Sequence, residues 1–136
     1  MHMRIFIGGI ALSLAVLSGC SGGAQSVTPT STTPQPARDM EYPTVVALKD
    51  AAVRAGYPCP SWSQDNRITK AAESGSCTDA DVFSTYLSHE SRDSVVTFLK
   101  TSGVSVTLLV GPNWIISSKS APSLQSALGG VVVSGT

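Results

Sequence analysis

The chain is poor in charge, and what charge it has forms no patch. Only 13% of its 136 residues are charged, nine basic against nine acidic. Setting aside the N-terminal segment that contains Arg4 leaves eight cations against nine anions. Most of them (Lys49, Arg54, Arg67, Lys70, Arg92, Lys100, Lys119) are scattered along the chain. Nucleic-acid binding needs clustered Lys and Arg to neutralise phosphates, so no nucleic-acid partner is expected. Histidine is nearly absent as well: beyond His2 there is only His89. With one histidine and no Cys-x-x-Cys pair, no metal centre and no cofactor site are expected. No apolar run reaches the roughly 20 residues that a stable membrane-spanning helix needs. The three cysteines, Cys20, Cys59 and Cys77, are an odd number, which in an exported protein flags a free thiol or an intermolecular bridge.

Residues Met1 to Gly19 have the layout of a targeting segment. Arg4 supplies a positive flank, Ile5 to Leu17 is apolar or small, and small residues precede Cys20. An uncleaved short anchor, or an ordinary secretory signal followed by a chance cysteine, are the competing readings. Leu17-Ser18-Gly19-Cys20 resembles the lipobox of bacterial lipoproteins. That resemblance implies a diacylglyceryl thioether on the Cys20 sulfur, cleavage before Cys20, and a membrane lipid as the first partner of the chain. Two acyl chains anchor stably, whereas one binds only marginally at about 0.8 kcal/mol per buried methylene. The expected location is the outer, extracytoplasmic face of the cell membrane. With Cys20 so engaged, Cys59 and Cys77 remain as a pair in a compartment where disulfides persist, and a Cys59–Cys77 bridge is expected. Gly19-Cys20-Ser21-Gly22-Gly23 also fits a G-x-S-x-G nucleophile pattern, but that motif works only between a strand and a helix. Here it straddles the processing site, so it is read as coincidence.

Three regions follow: a signal segment 1–19, a lipidated cysteine with a Ser/Thr/Pro-rich linker 20–41, and a folded domain 42–136. The linker has too few apolar side chains to offset chain entropy and reads as a disordered spacer, with O-glycosylation as a second reading. In the domain, Val45, Leu48, Ala52, Val53 and Ala55 fall at helical spacing, and Gly56 marks a stop. Residues 67–77 suggest a strand, with a helical turn as the alternative. In 80–87, Val82, Ser84 and Tyr86 alternate with Phe83, Thr85 and Leu87. Ser88 fits the N-cap of a helix ending at Gly103, with Glu90 and Asp93 in its first turns and an apolar stripe of Val95, Val96, Phe98 and Leu99. Residues 104–110 and 114–117 read as a hairpin around Gly111-Pro112-Asn113, then a short helix closed by Gly129 and a last strand. Strand, helix, strand, strand, helix, strand is the split β-α-β order of ferredoxin-like folds. The expected class is therefore α+β, a two-layer sandwich with both helices on one sheet face, an added N-terminal helix and a disulfide-linked segment.

Candidate chemistry is sparse. His89 has no partner at fixed spacing and reads as a solvated residue rather than a general base. Thr78-Asp79-Ala80-Asp81 lacks the glycine and distal glutamate of a calcium loop. Trp62 and Trp114 are the candidate binding aromatics, with core packing the stronger reading for Trp114. From Ala55 to Val133, the segments AGYPCPSWSQDN, SGSCTDADVFSTY and LLVGPNWII resemble small lipoproteins of actinobacteria and their phages. The resemblance carries over no catalytic residues. Phage lipoproteins as a broader class include superinfection-exclusion factors. With an anchor, a spacer and no acid-base or metal constellation, the expectation is a non-catalytic binding module facing an envelope or phage protein. The alternatives are a small extracytoplasmic enzyme built on scattered carboxylates (Asp65, Glu73, Asp79, Asp81, Asp93), or a housekeeping protein of the cell envelope.

Overall fold

Side-chain alternation along each strand decides which face of a sheet a residue meets, and in this chain both faces are covered. The structure, a computed structural model, describes residues 40–136. The signal segment, Cys20 and nearly all of the linker lie outside the described residues. The elements are α1 (Val45–Arg54), β1 (Glu73–Thr78), β2 (Asp81–Thr85), α2 (His89–Thr101), β3 (Val106–Val110) and β4 (Trp114–Ser117). A 3-10 turn (Ala121–Leu124) then runs into the short α3 (Gln125–Leu128), and β5 (Val131–Gly135) ends the fold. The chain is thus an α+β domain on a five-stranded, wholly antiparallel sheet of order β1-β2-β4-β3-β5.

That order meets the expected split β-α-β pattern halfway. β2, α2 and β3 do form such a unit, with β4 inserted between the two strands. The ferredoxin-like order would bring the last strand back beside β2. Here β1 already holds that edge, through a hairpin whose turn is Asp79-Ala80, so β5 pairs with β3 instead. The two-layer expectation also needs correction. Phe83, Leu109, Trp114 and Ile116 project to one face, where they pack with Val45, Leu48 and Ala52 of α1 and with Leu124 and Leu128. Leu108 and Ile115 project to the opposite face, beneath Val95, Val96 and Leu99 of α2. Consecutive residues of β3 and β4 are apolar, so each strand feeds both cores and a helix is needed on each side.

Local signals place the helices. Thr44 caps α1 by accepting from the Ala47 N–H, and the Glu73 carboxylate accepts from Val45 N at 2.8 Å, which ties the helix start to β1. At its end Gly56 takes φ +91°, while Tyr57 N donates to Ala52 O and Gly56 N to Val53 O. That is a Schellman stop, and it buries Tyr57. Val53 and Ala55, expected in the buried stripe, are exposed; Ala51 takes their place. Ser88 caps α2 as expected. Residues 67–72 are not strand. The outer edge of β1 is lined by the chain from 63 to 68, where Ser63 bridges Ser76 and the Asn66 side chain accepts from Ser74 N, so the edge is shielded by irregular chain.

Candidate functional site

The disulfide is where the cysteine count put it. Cys59 and Cys77 are bonded, with Cα atoms 4.9 Å apart, and the bridge clamps the proline-flanked segment after α1 onto β1. Trp62 follows on that segment and is half-buried. Its indole lies over Gly75, where a Cβ would come within 2.5 Å of the ring, and it meets Phe83 edge-on at 5.9 Å. The Lys49 ammonium sits 5.9 Å from its centroid, at the limit of cation–π attraction. Trp62 keeps one edge open to a shallow polar depression shared with Arg67, Ser76 and Asp79.

Trp114 offers no surface. It is fully buried, stacked edge-on against Tyr42 at 6.0 Å, and its Nε1 donates to Met40 O at 2.9 Å. Its ring occupies space left by two glycines: a Cβ at Gly111 would lie 1.9 Å from the indole, and one at Gly130 3.2 Å from it. Asn113 of the same turn accepts from Tyr42 N and donates to Tyr42 O. The Gly-Pro-Asn-Trp stretch is therefore a socket for the start of the domain, and Trp114 is withdrawn as a binding aromatic.

The ionisable groups divide into surface pairs and one inward-facing cluster. His89 lies 4.0 Å from Glu41, and both are largely solvated. They rim a small pocket that Thr85 and Asn113 also line. Thr85 Oγ1 is buried without a hydrogen-bond partner among the described residues. Asp65 pairs with Arg67, Asp93 with Arg92, and Glu73 holds the start of α1. The inward cluster is centred on Asp81. The Tyr57 hydroxyl donates to Ser118 Oγ at 2.7 Å, and Thr78 Oγ1 donates to Asp81 at 2.7 Å. Burial works to raise the Asp81 pKa, but the Ser118, Thr78 and Tyr57 hydroxyls together hold it below the ordinary carboxylate range. Burial, with the Asp81 charge adding to it, pushes Tyr57 up to about 12. Ser118 and Tyr57 are both buried, so this cluster fastens β2 to the loop after β4.

The most distinctive open feature lies on α2. The expected stripe splits: Val95, Val96 and Leu99 cover the sheet, while Phe98 is 68% exposed. At 3.6 residues per turn Phe98 stands about 100° round from the centre of the stripe. It forms, with Ile68, Val95 and Leu99, an apolar groove of about 380 Å³ between α2 and the 67–70 segment, with Arg67 and Lys70 on its rim. Sequence reasoning placed Phe98 in the core. It missed the groove because Ile68 comes from a segment with no periodicity. Among the described residues no group of three His, Cys, Asp or Glu side chains could hold a metal ion. Nor is any helix among them long and apolar enough to cross a membrane. No protein-family model matches the chain, and no curated protein or solved structure shows significant similarity to it.

Proposed function

We propose that the chain is a non-catalytic binding module, held at the outer face of the cell membrane by a diacylglyceryl group on Cys20. The observation that carries the binding half is the groove beside α2. A phenylalanine left 68% exposed beside Ile68, Val95 and Leu99 retains most of the roughly 1.5–3 kcal/mol that its burial would release. The partner it fits is an apolar segment flanked by an acidic group, which would meet Lys70, since Arg67 is paired with Asp65. In a phage setting that segment belongs to the genome-injection apparatus of an incoming phage; otherwise it belongs to an envelope protein. The anchoring half rests on the basic flank, apolar run and lipobox in register. Tethering both partners in one thin layer raises their effective concentration, so a weak groove contact becomes well occupied. The β2-α2-β3 unit with β4 between its strands supports a partly ferredoxin-like arrangement, with β1 and β5 as its departures.

The test expresses wild type, Phe98→Glu, Cys20→Ala and His89→Ala in a host. Intact mass, membrane fraction, cross-linked partners and phage plating are then compared. Loss of Met1 to Gly19 with gain of a diacylglyceryl adduct supports the anchor, and an intact N-terminus refutes it. Phe98→Glu should abolish the cross-links while leaving the membrane fraction unchanged. Unchanged cross-links remove the groove from the reading. A hydrolytic activity that His89→Ala abolishes would overturn the non-catalytic half, and full function of soluble Cys20→Ala would overturn the need for a tether.

A further inference from the structure

The opposite flank of α2 and the strand below it carry a second surface, independent of the groove. β5 pairs only with β3, and among the described residues nothing bonds to its outer edge. Proteins usually guard such an edge with a lysine, a proline or a bulge. Val131–Gly135, Val-Val-Val-Ser-Gly, has none of these, and Val131 is 64% exposed. Above the edge, α2 runs alongside β5 in the same direction. Asp93 and Val96 share a shallow trough with Val131 and Val133, and a Cβ on Gly135 would lie 2.8 Å from the Lys100 Cα. Asp93, Val96 and Lys100 are spaced i, i+3, i+7, so they form one stripe on the flank of the helix that looks out over the edge.

This stripe is complementary to itself when reversed. We infer that two copies of this chain associate through antiparallel pairing of β5 with β5, which joins the two sheets into one of ten strands. The register follows from the match between helix and strand. Asp93 stands over Val131 and Lys100 over Gly135, so the two-fold axis passes through Val133, with Val131 opposite Gly135 of the second copy. That register sets Val133 against Val133 and Val96 near Val96, and it brings Asp93 of each copy to Lys100 of the other. Strands spaced about 4.8 Å apart put the two α2 helices roughly 10–14 Å apart, a span that an aspartate and a lysine side chain close together. Both hydrogen bonds from Arg92 fall on Oδ1 of Asp93, which leaves Oδ2 to face the lysine. The contact is isologous and closes at two copies, as cyclic symmetry requires.

The test uses purified full-length chain in mild detergent, followed by sedimentation equilibrium. Both side chains are exposed. Among the described residues Lys100→Asp breaks no ion pair, whereas Asp93→Lys also removes the partner of Arg92, so the melting midpoint of each variant is recorded beside its dimer affinity. Asp93→Lys alone, or Lys100→Asp alone, places like charges across the interface twice and should weaken dimerisation roughly tenfold. Mixing these two variants restores both pairs, so heterodimers should form at wild-type strength. Val131→Lys, which adds the missing edge guard, should weaken the dimer in the same direction. A wild type that is monomeric at every concentration overturns the inference. So does a dimer indifferent to either reversal, or an edge that captures a strand of another protein while the chain itself stays monomeric. Phe98→Glu should leave the dimer unchanged, which separates this inference from the groove.

Discussion

Removing the Cys59–Cys77 bridge should be the most damaging small change to the domain. The bond closes a loop with a sequence separation of 18. In the chain-entropy description a loop of that length withholds about 10–11 cal/mol/K from the unfolded ensemble, or about 3 kcal/mol at 25 °C. One kcal/mol shifts the midpoint of a domain of this size by about 4–8 °C, so reduction should lower Tm by about 12–24 °C. The loss also has a location. The bridge holds the segment that carries Trp62 over Gly75 and bonds Ser63 to Ser76 along the edge of β1. Amide exchange in 59–76 should therefore accelerate first, before the β3–β4 hairpin opens. Scanning calorimetry of oxidised chain, reduced chain and the Cys59→Ala/Cys77→Ala variant gives the midpoints. Alanine at 77 is preferred to serine because the sulfur is fully buried and a hydroxyl there would want a partner. A reduced midpoint within about 3 °C of the oxidised one would refute the loop-entropy reasoning.

Further outcomes follow from other residues. Gly111→Ala drives a Cβ into the Trp114 indole and should destabilise by about 1–3 kcal/mol in urea unfolding, with a change in the near-ultraviolet signal of the tryptophan. An unchanged midpoint would mean that the socket is not tight. Thr85→Val removes a buried hydroxyl without a partner and should raise stability by about 1 kcal/mol, whereas a loss of that size would show that the hydroxyl has a hidden acceptor. The Asp81 cluster should show in the pH profile at both ends. Asp81 is depressed in the fold, so its contribution is present above the unfolded value of about 3.9 and is lost as pH falls through the lower folded value. Tyr57 is raised, so its contribution is intact below about pH 10 and is lost as pH rises through about 12. Asp81→Asn should flatten the acid limb and Tyr57→Phe the alkaline limb of urea midpoints measured against pH; limbs that keep their wild-type slopes would contradict the assignment.

Most of the element pattern was legible because each boundary has a local chemical cause. Gly56, Gly103 and Gly129 stop helices at positive φ, and Ser88 caps α2 with its own hydroxyl. Residues 82–85 fall in β2 as the reading of 80–87 expects, although Phe83, Ser84, Thr85 and Tyr86 are all buried because both faces of the sheet are covered. Layering was not legible. Leu108 and Leu109, like Ile115 and Ile116, are adjacent apolar pairs, and a pair of that kind is compatible with one covered face or with two. Strand order failed for a related reason. The residues of β1 (Glu-Ser-Gly-Ser-Cys-Thr) have weak strand preference, so nothing local announces that β1 takes the edge that a ferredoxin-like fold gives to its last strand. The disulfide supplies part of that reason, since it fixes Cys77 to a segment anchored after α1.

The surfaces of α2 show why composition locates apolar residues but not their neighbours. The helix has no fully buried residue, although Val95, Val96, Phe98 and Leu99 make it apolar over a wide arc. A helix lying on a flat sheet covers only the sector that points down. What remains of the arc falls on its two flanks, and each flank is finished by a different part of the chain. On one side the irregular 67–70 segment rises to meet Phe98 and makes a groove. On the other, β5 ends the sheet and leaves Val96 between Asp93 and Lys100 above an unpaired strand edge. Both surfaces depend on β1 and β5 occupying the outer positions, which are the two placements that the sequence pattern did not determine. If β5 lay beside β2 instead, β3 would end the sheet and the flank of α2 that carries Asp93, Val96 and Lys100 would overhang it with no Val131 or Val133 below.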